Sequence, residues 1–354
     1  MKVLVRLGDV LGAEKLVSIK RAHISGVSIM TAGEELALLL EEAINEGATV
    51  CVRTTTNPCA IELEKWKELG IRSEFVDRQK RVLDKIKAVG MKLSLSCTPY
   101  YKDNVPEFGE IIAFAESSAV IYANSILGAK TLRHGSIDAL AAAFIGKVPL
   151  ADVLIDENRA PEVFVDVKHD LKTTTEYGLL GFLLGELLDE IPIIQFKRKP
   201  KHYELKQMGA AMATSGKHAI YHVIEVTPEW SKWKNMIHSL EKIIIDKKDL
   251  IGIAERFGVS ENPEFVVIGC PHAHPDELKD INLEAKKWLF CGRSMLNEIK
   301  NVARNFDMIL ADTCPVVMPL AELGINEVAT NSVKAAWYIP KLSKNKVKTK
   351  LVFI

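Results

Sequence analysis

Three features of this sequence predict an α/β fold of several α/β/α units with mainly parallel sheets. Helical patterns give way to strand patterns at four places, usually through a glycine. The strands are short β-branched runs, and 354 residues exceed what one core usually holds. More than one domain is therefore expected.

Glu34 to Asn45 reads as a helix closed by Gly47, and Ala48 to Thr54 as the strand after it. Glu74 to Val89 repeats the pattern, with Gly90 leading into a strand over Lys92 to Ser96. Ile251 to Phe257 passes through Gly258 to the strand Glu264 to Ile268, and Ser294 to Asn305 precedes the strand Asp307 to Ala311. Helix is also expected at Ser136 to Ile145, Tyr177 to Leu188 and Ser231 to Ile245. The basic run Lys197-Arg198-Lys199-Pro200-Lys201 has two readings. It divides an N-terminal α/β region, residues 1–200 with Cys97, from a C-terminal one, residues 201–354 with Cys270 and Cys314, or it is a solvated loop within one domain.

The 46 basic residues are matched by 46 acidic ones, so no global field attracts nucleic acid or an anionic membrane. Neither is an expected partner, and an anionic ligand must be gripped locally. No apolar run approaches the roughly 18–20 residues of a membrane span. The amino terminus, Met1-Lys2-Val3-Leu4-Val5-Arg6, lacks the apolar core of a signal peptide, which places the protein in the cytoplasm.

Six Cys in a chain this long are too few for a disulfide scaffold. Cys97, Cys270 and Cys314 share one local context. Each follows a predicted strand and stands beside, or one residue from, a proline: Ser96-Cys97-Thr98-Pro99, Gly269-Cys270-Pro271 and Thr313-Cys314-Pro315. In parallel α/β sheets the carboxyl ends of strands form the ligand-binding edge. Cys51, Cys59 and Cys291 lack this context and read as small packing hydrophobes. The separations of 173 and 44 residues match no zinc ribbon or ferredoxin run, so convergence has to come from the fold. Three converging thiolates could hold an iron–sulfur cluster with one open iron, a Lewis acid suited to dehydrating a hydroxy acid. A three-Cys zinc site is the competing metal reading.

Several other segments are polar for their places. Lys20 to Ser28 sets a cation, an imidazole and two hydroxyls around Gly26, as in an anion-binding turn or a capped loop. Thr54-Thr55-Thr56-Asn57 ends a strand with four hydrogen-bonding side chains, and Glu116 to Ser125 brings acid, hydroxyl and amide groups to one helical face. Arg159 could grip a carboxylate or phosphate, or lie in a surface ion pair. Thr330 to Lys334 precedes a predicted helix whose free N–H groups and Lys would favour phosphate. His272 and His274 flank the second thiol, where ligation, a bond to sulfur and plain exposure all remain open.

Taken in order, Lys20 to Ser28, Thr55-Thr56-Asn57-Pro58, Ser96 to Tyr100, Asn104 to Glu110, Glu116 to Val120, Asp156 to Arg159, Gly269 to His272, Asp312 to Pro315 and Thr330 to Lys334 resemble the aconitase X family across nearly the whole chain. Within it, the likeness is greatest to the large subunit of the two-subunit archaeal form. The resemblance implies an aconitase-like fold around a central cleft, and an iron–sulfur cluster on Cys97, Cys270 and Cys314, with [4Fe-4S] favoured over [2Fe-2S]. It also implies loss of water from (R)-5-phosphomevalonate, a small anionic phosphorylated hydroxy acid, to give trans-anhydromevalonate 5-phosphate in an archaeal mevalonate route. His23, Ser25, Gly26, Asn57, Ser117, Ser118, Arg159, Asn331 and Lys334 become candidates for substrate contact. Fused members carry a swivelling domain whose serine is the base; here that base is expected on a separate small subunit, so no catalytic residue is assigned to this chain. The closing lysines, Lys341 to Lys350, could meet that partner or form a solvated tail. Two alternatives stand beside this reading: a cis-3-hydroxy-L-proline dehydratase of the same family, and a non-catalytic aconitase-like regulator that binds RNA.

Overall fold

A computed structural model describes residues 1–32, 34–279, 281 and 283–354. Its amino-terminal part contains, in chain order, α1 (Lys2–Leu11), β1 (Leu16–Ser18), β2 (Arg21–Ile24), α2 (Glu35–Asn45), β3 (Arg53–Thr56), α3 (Ser73–Ala88), β4 (Ala113–Phe114), α4 (Ser117–Ser125), α5 (Ser136–Ile145) and β5 (Lys147–Pro149). Strands β3, β2 and β4 make a parallel sheet, and β1 pairs antiparallel with β5. In α3 the buried residues Phe75, Val76, Gln79, Val82, Leu83 and Ile86 recur three and four apart, which turns one stripe to the core.

The strand expected at Ala48 to Thr54 is shifted, because the ladder to β2 is carried by Arg53 to Thr56. Lys92 to Ser96 is not a strand. Only Lys92 bridges to Thr55, and Leu95 turns to φ 45°. The Ser94 hydroxyl supplements the two backbone bonds that remain, Lys92 N–H to the Thr54 carbonyl and Ser96 N–H to the Thr56 carbonyl, by donating to the Thr56 carbonyl at 2.9 Å and accepting from the Thr56 N–H at 3.1 Å.

The middle of the chain holds β6 (Val163–Val167), α6 (Thr174–Leu187), β7 (Pro192–Gln195), α7 (His202–Ser215), β8 (His222–Val223), α8 (Trp230–Trp233), β9 (Glu241–Ile245) and α9 (Lys247–Phe257). Its parallel sheet runs β8-β7-β6-β9. The helix expected over Ser231 to Ile245 is corrected: it stops at Trp233, and Glu241–Ile245 pairs along its length with β6. The β-branched run Ile243-Ile244-Ile245 suits a pleated surface, and Asp246 caps the next helix by accepting from the Lys248 N–H at 2.8 Å. Lys197 to Lys201 joins β7 to α7, with strands of one sheet on both sides of it, so it is a loop within this layer.

Helices α6 and α7 pack backbone against backbone. A Cβ on Gly181 would fall 2.0 Å from the Met208 carbonyl oxygen, so no larger residue permits this approach.

The carboxyl-terminal part contains β10 (Phe265–Ile268), β11 (Lys286–Phe290), α10 (Leu296–Val302), β12 (Met308–Leu310), β13 (Glu327–Thr330), α11 (Val333–Leu342) and β14 (Lys348–Leu351). Its five strands are all parallel, in the order β12-β11-β10-β13-β14. The α/β expectation is met. The cores are shared between sheets: Val267, Phe290 and Ala335 pack with Ala22, Ile24 and Val82, while Val333 and Ala336 pack with α6 and α7. That sharing fixes the strand ends against each other. Among the described residues no helix is long and apolar enough to cross a membrane.

Candidate active site

Cys97, Cys270 and Cys314 are all buried; Cys270 and Cys314 follow β10 and β12 of one sheet, whereas Cys97, expected after a strand, follows the irregular segment beside β3 of another. Each loop is turned by a residue of positive φ just before the thiol: Leu95 at 45°, Gly269 at 108° and Asp312 at 62°. For Leu95 and Asp312 this conformation costs of order 1–3 kcal/mol and persists only where surroundings over-determine it. Asp312 is held by the Arg293 guanidinium, whose Nε stands 2.9 Å from one carboxylate oxygen, and its carbonyl accepts from the Cys59 N–H at 2.8 Å. Cys59 therefore serves packing and loop alignment, and it donates to the Ile61 carbonyl.

The three thiols share one electrostatic neighbourhood. Burial pushes the Cys97 thiol up to about 12, with Glu116 and Cys270 adding to the rise and Lys334 opposing it. Burial also raises Cys270, against Lys334, and raises Cys314, which feels both other thiols. Ser332 also opposes the rise of Cys270, and the His272 N–H donates to the Cys97 sulfur at 3.2 Å.

A directional polar chain runs beside them. Glu116 caps α4 and is held ionised: burial disfavours its charge, but Lys334, Asn57 and Ser118 overcome this and bring it down to about 2. Since a carboxylate only accepts, Asn57 Nδ2 donates to Glu116 Oε2 at 2.6 Å, which turns Asn57 Oδ1 toward His23 Nε2 at 2.8 Å. His23 must then carry its proton on Nε2 and accept at Nδ1 from Thr55 Oγ1, 2.9 Å away. Burial, the main cause, lowers its pKa to about 4, so it is neutral at pH 7. Lys334, in the first turn of α11, pairs with Glu116 and reaches Ser118 Oγ at 3.2 Å.

Most of the expected residues are brought together: His23, Asn57, Ser118 and Lys334 lie in this chain, and Ser117 opens α4 beside it. Ser25 sits at the end of β2, where its hydroxyl pairs with that of Ser136 at 2.8 Å, and Gly26 turns at φ 75° against the same serine. Asn331 is buried next to Ser332, its amide donating to Thr174 Oγ1 at 3.0 Å and its Oδ1 without a partner.

Arg159 is the exception. It is 0% exposed, and its guanidinium is spent on Glu229, at 2.6 and 2.9 Å, and on the carbonyls of Val153, Asn124 and Ala129. It locks the junction of the first and middle parts and presents no donor to a ligand. Sequence reasoning picks out Glu116 and Thr55 only as members of polar segments, without a role, and gives Ser96, Ser136, Ser332 and Lys206 no role in the site or its frame. Glu116, Ser96 and Ser332 each adjoin a residue that it selects, and that adjacency is the available signal.

Profiles described as the first, second and third domains of aconitase X match residues 1–157, 161–255 and 263–351. The chain belongs to the aconitase X family. The large subunit of phosphomevalonate dehydratase from Methanocaldococcus jannaschii is 38% identical over 98% of this chain and 92% of its own length. The corresponding large subunit from Thermococcus kodakarensis is 37% identical over 96% and 89%. A crystal structure of Thermococcus kodakaraensis aconitase X in its holo-form matches with a TM-score of 0.87 at 35% identity, covering 97% of this chain and 90% of that one. More distantly, cis-3-hydroxy-L-proline dehydratase of Pseudomonas aeruginosa is 28% identical over 98% of this chain and 64% of its own.

For an aconitase X chain the metal group suggested is an iron–sulfur cluster. The donor set fits it: soft thiols from three loops, buried from water, with the His272 N–H directed at the Cys97 sulfur.

Proposed function

We propose that this chain is the large subunit of a hydro-lyase that converts (R)-5-phosphomevalonate to trans-anhydromevalonate 5-phosphate in an archaeal mevalonate route. The observation that carries this reading is the placement of Lys334 and the Glu116 chain against three buried thiols, in a protein 37–38% identical to several phosphomevalonate dehydratase large subunits. Cys97, Cys270 and Cys314 would hold the cluster, [4Fe-4S] in preference to [2Fe-2S], which when bound supplies an open Lewis-acid iron for the substrate's hydroxyl and carboxylate. Among the described residues no three His, Cys, Asp or Glu side chains gather closely enough for a single ion.

This chain's own residues bind and orient. The Lys334 ammonium and the first turn of α11 form the local cation that an anionic substrate needs in a protein of zero net charge. Ser25, Ser118, Asn57 and Asn331 supply neutral hydrogen bonds. Within the hydrogen-bonded polar chain neither Glu116, at about 2, nor His23, at about 4, is poised as a base near pH 7. This supports a base carried by a small subunit, as the relatives' names, large subunits, also imply.

The test is anaerobic purification with and without a co-expressed small subunit, analysis of iron, sulfide and zinc, and turnover of (R)-5-phosphomevalonate beside cis-3-hydroxy-L-proline. Iron with sulfide, and dehydration of the phosphorylated acid only when both subunits are present, are expected. Zinc without sulfide, or turnover of the hydroxyproline alone, would overturn the reading.

A further inference from the structure

We infer that His272 is the positioning residue that sets the mutual spacing of Cys97, Cys270 and Cys314. The inference rests on the reading of those thiols as the cluster's ligands. All four polar atoms of His272 are engaged, with three separate segments of the chain. Its N–H donates to Cys97 Sγ at 3.2 Å, and its carbonyl accepts from the buried Lys206 ammonium of α7 at 2.9 Å. Ring Nε2 stands 2.9 Å from the Thr313 carbonyl, and Nδ1 stands 3.1 Å from Ser96 Oγ.

These partners are informative because of where they sit. Ser96 precedes Cys97, Thr313 precedes Cys314, and His272 itself lies two residues after Cys270. One imidazole therefore spans all three thiol loops. Its tautomer follows from the partners: a carbonyl only accepts, so Nε2 carries the proton toward Thr313 and Nδ1 accepts from the Ser96 hydroxyl. Ser96 is confined in turn, since its Oγ accepts from the Thr98 N–H at 3.2 Å and a Cβ on Gly292 would fall 2.8 Å from it. Lys206 is anchored from behind by Glu277, which also accepts from the His274 N–H. The ring is 0% exposed, so none of its bonds is shared with solvent. Metal-bound groups are commonly held by such an outer set of hydrogen bonds. Here that set is concentrated in one side chain with two separable arms.

The test uses amide substitutions that keep one arm each. In His272→Gln the side-chain amide reaches the Nε2 position and can still donate to Thr313. In His272→Asn it reaches the Nδ1 position and can still meet Ser96. The full-length apoprotein is alkylated with iodoacetamide under native conditions and each Cys is quantified by mass spectrometry, with buried Cys291 as the internal control. Loss of one buried hydrogen bond is expected to speed labelling about tenfold at the thiol it served. Cys97 should respond in His272→Gln, Cys314 in His272→Asn, and both in His272→Ala, with iron and sulfide uptake falling in step. Identical patterns for Gln and Asn, wild-type labelling and cluster content in His272→Ala, or acceleration at Cys291 equal to that of the three would each overturn the proposal. Wild-type protein that takes up no iron and sulfide would instead sink the cluster reading, while the labelling pattern still judges His272.

Discussion

Glu116→Gln is the sharpest probe of the polar chain. The carboxylate is held near 2 against an ordinary value of 4.5, because Lys334, Asn57 and Ser118 outweigh a large burial penalty. A shift of about 2.5 pH units corresponds to about 3 kcal/mol. Its sign is fixed by direction: a depressed carboxylate contributes stability in full above the unfolded value of 4.5, and that contribution fades as pH falls toward 2. About 2 kcal/mol of it should be gone by pH 3. Glutamine keeps the shape but leaves Lys334 buried without its anion, so a loss of about 3 kcal/mol at pH 6 is expected. The assay is urea unfolding of wild-type and variant apoprotein at pH 6, 4 and 3. The gap between them should be widest at pH 6 and shrink to about 1 kcal/mol at pH 3. A constant gap across that range, or none at pH 6, would refute the account of Glu116 as the ionised hub.

Other outcomes follow from the same geometry. Cys97→Ser, Cys270→Ser and Cys314→Ser should each abolish iron and sulfide retention, while Cys59→Ser and Cys291→Ser retain both; equal loss from all five would dissolve the grouping. Arg159→Met should cost about 3–5 kcal/mol in denaturant unfolding, since Glu229 is left buried and unpaired. The Michaelis constant of the folded fraction should not move, and a raised constant with unchanged stability would restore Arg159 to the substrate. Gly181→Ala should destabilise by about 3 kcal/mol through the Met208 backbone, which a wild-type melting temperature would contradict.

Much of the site was readable because it depends on residue types at strand ends. The thiol, hydroxyl and amide groups that close strands and open helices stand out from an apolar background, and α3, α5 and α9 announce themselves by period. What the sequence hides is long-range. Arg159 looks like a surface cation until the fold wraps Val153, Asn124, Ala129 and Glu229 around it. Glu241 to Ile245 resembles the end of a helix until β6 offers it a ladder. Lys92 to Ser96 has a strand's composition, yet Leu95 turns away because Ser94 ties off the neighbouring backbone. The importance of His272 lies in partners up to 176 residues distant, which no local spacing encodes.

The pairing of Glu116 with Lys334 also has a consequence in time. The two residues are 218 positions apart, and Cys314 likewise follows Cys97 by most of the chain. At a synthesis rate of about 5–20 residues per second, Glu116 emerges roughly 10–45 s before the ammonium that holds it ionised. During that interval the first sheet carries a thiol and a carboxylate without their counterparts. The site is thus a late event on the ribosome: a nascent chain stalled before Asp312 lacks both Cys314, the third of the thiols proposed as cluster ligands, and Lys334.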